Sequence, residues 1–365
     1  MTDAAAGRRG VAYEAFLGRD ARSGEWADLA RGTYRVVLEE IEQGRPESAV
    51  RLLDVTLLEA EELHEIYGHW TDDVLAWLQA RNADGLDADV ARLRGLLGDQ
   101  AFDGFEEGWQ SYCALTAAAA ASILAGEHDA AERVEAARAR WQLTHDAAVD
   151  ALYGVLDIAV RREGEACLRD IWDLLMGDWY DAHERRLDVR HQDWPESSRQ
   201  LRMAILDGFH GHLTGPDRLG DVELIEEQDR WGFRFAPCGS GGRTMSDAAS
   251  AGGARPGPPY GFAVTTEPHD WAWNTVGVCA YCVHCCLLNE LTPIDRLGYP
   301  TRVIDPPVWP DDRADPTCTW WVYKDPSLVP EAVYRRVGRE RPDHLGSRQA
   351  TMGATPGRAE ADDPS

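Results

Sequence analysis

From about residue 33 to residue 213 the apolar residues recur at three- and four-residue spacing, and just past Gly215-Pro216 that rhythm stops. This switch limits the fold more than any other feature of the chain. Leu52, Leu53, Val55, Leu57, Leu58 and Leu63 recur at three- and four-residue spacing among Glu59, Glu61 and Glu62. Leu75, Trp77 and Leu78 follow, then Leu93, Leu96 and Leu97 ahead of Gly98, a helix stop. Residues 114–124 are nearly all alanine and small apolar side chains, which predicts a tightly packed helix. Beyond Gly215-Pro216, Val222-Glu223-Leu224-Ile225-Glu226 and Trp231-Gly232-Phe233-Arg234-Phe235 read as strands, as do Val303-Ile304 and Thr319-Trp320-Trp321-Val322-Tyr323. A short helix is expected over 287–291. The expectation is an α+β protein: an all-helical N-terminal domain joined to a smaller, irregular, β-rich C-terminal domain that binds metal through Cys and His.

The boundaries follow from the same pattern: an N-terminal segment over 1–32, helices over 33–215, and the β-rich domain over 216–335. Residues 246–259, rich in Ser, Ala, Gly and Pro, predict a flexible insertion, and 336–365 a disordered tail. The helical half also looks duplicated, with copies over 52–125 and 137–213. Glu61-Glu62-Leu63-His64-Glu65 is matched by Gln142-Leu143-Thr144-His145-Asp146, each followed by leucine-rich helices and a Gly-Asp step.

Charge narrows the function. Lys plus Arg number 37 and Asp plus Glu 63, a net charge of −26, which argues against nucleic acid and against an anionic membrane surface as partners. Lys324 is the sole lysine, so Schiff-base and P-loop lysine chemistry has little scope. No apolar run approaches the roughly 20 residues of a membrane span. Arg8-Arg9 invites an export reading, but Val11-Ala12-Tyr13-Glu14-Ala15-Phe16 carries a carboxylate and is too short for a leader's apolar core. The cytoplasm is therefore expected. There the eight cysteines are more naturally ligands, catalysts or buried thiols than disulfides.

Six of the eight fall between Cys238 and Cys318, and the densest run is Cys279-Ala-Tyr-Cys282-Val-His284-Cys285-Cys286. A C-x2-C turn lets two thiolates converge on one tetrahedral ion. The expected ligands are Cys238, Cys282, Cys285 and Cys318, with His284 or His269 able to replace one of them. Zinc fits such soft ligation, with an iron–sulfur cluster or Fe2+ as the alternative. A closed zinc knuckle serving only the fold stays open beside a catalytic metal.

Next to Cys238, the run Gly239-Ser240-Gly241-Gly242-Arg243 could aim several N–H groups and a guanidinium at one anion. It lacks the endings of a P-loop or a dinucleotide fingerprint. Glu290 is a candidate base for a metal-bound water, and His269-Asp270 a candidate acid/base pair. His64 and His69 stand five apart, about 140° round a helix, so they do not make a zincin pair. A di-metal site on Glu61, Glu65 and His64 lacks the paired Glu-x-x-His motifs of helical bundles. His210 and His212 could cap a helix C-terminus or face a pocket of the second domain, the cap being favoured.

The constellation Asp229-x-Trp231-x-Phe233-x-Phe235-x-Pro237-Cys238-Gly-Ser-Gly-Gly-Arg243, His269-x-Trp271, Tyr281-Cys282-x-His284-Cys285, Gly298-Tyr299-Pro300 and Cys318-x-Trp320 resembles an uncharacterised family of bacterial and archaeal proteins. The likeness spans 220–326 and a His-bearing helix like residues 61–67. It implies that Cys238, Cys282, His284 and Cys285 form one unit, and it supplies no activity. The functional expectation is a metal-dependent enzyme, with zinc as Lewis acid or water activator, acting on a small anionic metabolite seated on Gly239–Arg243. A zinc-stabilised binding or regulatory module and an iron–sulfur redox protein are the alternatives, and an oligomer is compatible with either.

Overall fold

Helices in this chain are punctuated by proline and glycine. Pro46 opens a 22-residue helix that ends at Gly68, and helices of 21 and 34 residues stop at Gly126 and Gly164, both at positive φ that only glycine adopts without strain. The computed structural model describes residues 10–345 except 189, 249–251 and 344. Strands β1 (Gly10–Glu14) and β2 (Arg19–Ser23) pair antiparallel. One helical turn, α1 (Trp26–Leu29), leads into α2 (Thr33–Glu42), α3 (Pro46–Tyr67), α4 (Trp70–Arg81), α5 (Leu86–Leu97), α6 (Gln100–Asp103), α7 (Phe105–Ala125), α8 (Ala130–Glu163), α9 (Cys167–Leu187) and α10 (Trp194–Gly211).

The predicted strands appear as β3 (Glu223–Glu226), β4 (Arg230–Phe235), β5 (Val303–Asp305) and β6 (Cys318–Tyr323). They form one antiparallel sheet in the order β3-β4-β6-β5. All six residues of β6 are buried, which its run of aromatic and β-branched side chains favours. Helix α10 lies on this sheet: Phe209 stacks on Phe235 with ring centroids 3.6 Å apart and meets Trp320 edge-on, and Trp194 donates its indole N–H to the Tyr323 carbonyl. Between β4 and β5 come the short helices α11 (Gly241–Met245), α12 (Val283–Cys286) and α13 (Thr292–Leu297), with a π-helical turn at Leu287–Leu291 where a short helix was expected. The chain is thus α+β, and one continuous hydrophobic core runs through both halves.

Three boundary expectations change. The segment before residue 33 carries the β1–β2 pair, tied down by Arg19 on Asp207 at 2.5 Å. The tail expected to be disordered from 336 is ordered at its start: α14 (Glu331–Arg336) ends in an ion pair to Glu290, and Val337 is fully buried. Residues 346–365 lie outside the described residues. In the expected flexible insertion, Arg255 is buried and binds Asp150 at 2.6 Å, so 252–259 is pinned to α8, while 249–251 lie outside the described residues. The two similar stretches also build different elements. The first breaks at Gly68 into α3 and α4, whereas the second runs unbroken through α8.

Candidate active site

The glycine run after Cys238 exists because backbone there passes close to other groups. A Cβ at Gly239 would sit 1.5 Å from the His212 carbonyl oxygen, one at Gly241 2.4 Å from Cys282 Sγ, and one at Gly242 3.1 Å from Cys238 Sγ. Two of the five N–H groups expected to hold an anion are spent within the loop. Gly242 donates to Cys238 Sγ at 2.9 Å, Arg243 to the Cys238 carbonyl and Thr244 to the Ser240 carbonyl. Arg243 is buried outside the lining of the cavity described below, bound to Asp150 at 2.6 Å and to Asp146 at 3.4 Å. Burial opposes its charge, but the two carboxylates outweigh burial and raise its pKa. Arg243 therefore clamps α8 to the second half, and the expectation of Arg243 as the cation of an anion nest is corrected.

Two expected catalytic groups are likewise engaged elsewhere. Glu290 is fully buried, receives the Trp273 indole N–H and the Ile304 amide at 2.8 Å each, and pairs with Arg336. Such a carboxylate ties the π-helical turn to β5 and α14 and has no free edge for a water. His269 stacks on Trp271 at 4.1 Å and binds Glu165 at 2.8 Å, clear of the cavity described below. Cys282 is bonded to Cys279, which corrects both its assignment as a ligand and the expectation of thiols alone. Among the described residues no group of three or more His, Cys, Asp or Glu side chains could hold a metal ion.

What the tertiary structure does bring together is a cavity of about 430 Å³ between α3, α9, α10 and the cysteine loops. Its walls are largely apolar, including Ile66, Trp70, Met176, Phe209 and Trp320. Into it face the free thiols of Cys238, Cys285 and Cys318, together with Ser240, Gly241, Gly242, Cys282, His284, His212 and Arg302. Burial is the main reason the Cys285 and Cys318 thiols are pushed up, and the nearby Cys238 sulfur adds to it. These thiols stay protonated at neutral pH.

His284 receives its orientation from the chain just before it. Its Nδ1 lies 2.6 Å from the Tyr281 carbonyl and so carries the proton, leaving Nε2 an acceptor 3.5 Å from Cys285 Sγ. Burial, and then the Arg302 charge, hold its pKa down to about 4, so the ring is neutral. His212 reaches the cavity at the end of a three-membered chain. Asp146 meets His145 Nδ1 at 3.0 Å, and His145 Nε2 meets His212 Nδ1 at 2.9 Å. The carboxylate makes His145 Nδ1 a donor and its Nε2 an acceptor, so His212 must donate from Nδ1 and keep Nε2 free of its proton. Burial, His145 and His284 keep His212 neutral.

Arg302 is the group that sequence reasoning missed. It is buried, its Nη2 donates to His183 Nε2 at 2.7 Å, and its Nε has no hydrogen-bond partner. His183 is neutral, its pKa pulled down to about 3 by burial and then by Arg302 itself. Among the described residues no carboxylate pairs with this guanidinium, and burial lowers its pKa to about 10. It remains a cation at neutral pH, lining a largely apolar cavity whose other charged residues are Glu62, Asp178 and Arg186. A lone Arg ahead of a short strand carries no sequence signal of this kind, because only the fold shows which arginines have acids beside them. No family model, curated protein or solved structure matches this chain. No helix is long and apolar enough to cross a membrane.

Proposed function

We propose that the cavity is the active site of a thiol-dependent enzyme acting on a small anion with an apolar body. The observation that carries this reading is Arg302, a buried guanidinium without a carboxylate partner among the described residues, in the same cavity as three thiols and three neutral histidines. A buried cation of this kind is costly unless a ligand's anion completes it. A carboxylate or phosphate on Arg302 would leave the rest of the molecule among Trp70, Phe209 and Trp320. The anion also changes the chemistry beside it. By cancelling the Arg302 charge that disfavours a protonated His284, it lets Nε2 take the Cys285 proton as the sulfur attacks an electrophilic carbon of the substrate. His212, oriented through His145 by Asp146, is placed to accept a second proton in the same cavity.

A second reading has a specific observation behind it. Cys238 comes near enough to Cys285 and Cys318 to raise their pKa values, and a soft cation such as zinc or iron held by the three and His284 would reverse that repulsion. It requires the side chains to turn from their present positions. Six free thiols beside one disulfide fit the cytoplasm, where disulfides are usually catalytic or sensing.

The test is alkylation of Cys285 by iodoacetamide in the presence of a series of small carboxylates and phosphate, read by peptide mapping, with metal content measured on the same sample. Protection by an anion that is lost in Arg302→Met supports the enzyme reading. No anion giving Arg302-dependent protection refutes it. Near-stoichiometric metal that is lost in Cys318→Ser moves the assignment to the second reading.

A further inference from the structure

The Cys279–Cys282 disulfide has two unequal sulfurs. Cys282 lines the cavity, whereas Cys279 lies behind it, fully buried and outside the lining. The Cys282 backbone N–H points at Cys279 Sγ, 3.0 Å away. Across from Cys282 the chain carries Gly241, whose missing side chain would begin 2.4 Å from that sulfur and cover it. One sulfur is thus open to a molecule in the cavity, and the other is placed to leave with its charge met by an amide.

We propose that this pair is a thiol–disulfide exchange centre for a small thiol admitted by the cavity, with Cys282 the sulfur attacked and Cys279 the leaving sulfur. In the first step a thiolate RS− attacks Cys282 Sγ, the RS–S bond forms, the Cys279–Cys282 bond breaks, and Cys279 leaves as a thiolate accepting the Cys282 N–H. A second RSH, losing its proton to the Cys279 thiolate, attacks the substrate sulfur of the mixed disulfide. Cys282 leaves as a thiolate and takes from solvent the proton that the first thiol released, so the products are RSSR and two free cysteine thiols: two thiols are oxidised and one disulfide is reduced. Run in reverse, the reduced pair opens a small disulfide. The proposal shares the cavity with the enzyme reading but depends on neither Arg302 nor Cys285.

The test uses the full chain isolated without reductant, with 2-mercaptoethanol as the thiol because it is small and uncharged. Denaturation in N-ethylmaleimide should label six cysteines and leave Cys279 and Cys282 unlabelled. Brief exposure of the native protein to 2-mercaptoethanol, an acid quench and peptide mapping should then find the mercaptoethanol adduct on Cys282 and none on Cys279. Gly241→Ala should lose that adduct in the native state while exchanging normally in denaturant. If Gly241→Ala does not fold, Cys279→Ser decides. Supplied with hydroxyethyl disulfide, it should trap a stable adduct on Cys282, which Cys282→Ser lacks. Eight labelled cysteines at the outset, an adduct on Cys279, or reduction only after unfolding overturns the proposal. Loss of exchange with Arg302-dependent anion protection intact would remove this centre alone, and the converse result would remove the enzyme reading alone.

Discussion

Replacing Arg302 with Met separates a cation awaiting a ligand from one that holds the fold together. Burial lowers the Arg302 pKa to about 10. At about 1.4 kcal/mol per pH unit, keeping the side chain charged costs the folded state about 3 kcal/mol. The sign is that of a depressed base: the cost is fully present below pH 10 and relieved only above it, so at pH 7 the charge is a net burden. Methionine removes that burden and fills a similar volume, but it strands His183 Nε2, which now receives the Nη2 proton, at a cost of roughly 1–2 kcal/mol. The net expectation is a gain of about 1–2 kcal/mol. With about 2 cal/mol/K of unfolding entropy per residue over a chain of this length, the Tm should rise by roughly 1–3 °C. The same substitution should weaken anion binding by about 2–5 kcal/mol, which is roughly 30-fold or more. Differential scanning calorimetry and ligand-dependent shifts in Tm measure both. A loss of about 3–5 kcal/mol in stability would refute the reasoning, because that is the penalty for removing one member of a satisfied buried pair. It would mean that Cys285 or another group already neutralises Arg302 in the resting protein.

Glu290→Gln should unfold at a denaturant concentration lower by the equivalent of about 3–5 kcal/mol, since it leaves Arg336 without its carboxylate; unchanged stability with lost turnover would restore Glu290 as a catalytic base. Gly239→Ala must drive a methyl into the His212 carbonyl and should cost about 3 kcal/mol or more, whereas Gly177→Ala, in α9 with nothing within 4 Å, should be neutral or gain about 0.5–1 kcal/mol. His284, whose folded pKa of about 4 lies below the ordinary value near 6.5, binds a proton only after unfolding between those pH values, so stability grows with pH across that window and falls on acidification. His284→Gln should therefore lose roughly 2–3 kcal/mol less than the wild type between pH 7 and pH 4, measured by urea midpoints; an equal loss would show that His284 is not buried as a neutral ring.

Local pattern was enough for the elements that bury one face or both. The four strands of the C-terminal sheet were legible because Val, Ile, Trp and Phe cluster there between turn residues, and the long helices because leucine recurs at helical spacing. The β1–β2 pair was not, since its strands are short and mixed in polarity, with only Ala21 and Arg22 buried and Tyr13 open to solvent. The tail was misjudged for a related reason. Its polar residues Arg336 and Arg339 are ordered by partners about 45 residues away, Glu290 and Asp295, which no local composition reveals.

At the site, the density of cysteines singled out Cys238, Cys285 and Cys318, and the fold brings those three thiols to one cavity. Which charges were free could be decided only in three dimensions. Arg243 and Glu290 looked available beside a glycine turn and a cysteine cluster, yet each is neutralised by a partner far along the chain, Asp150 and Arg336. Arg302 and His212 looked ordinary, yet folding strips acids from the one and aligns Asp146 and His145 behind the other. Electrostatic energy depends on separation in space and on the water displaced between charges, and neither is a property of neighbouring positions along a chain.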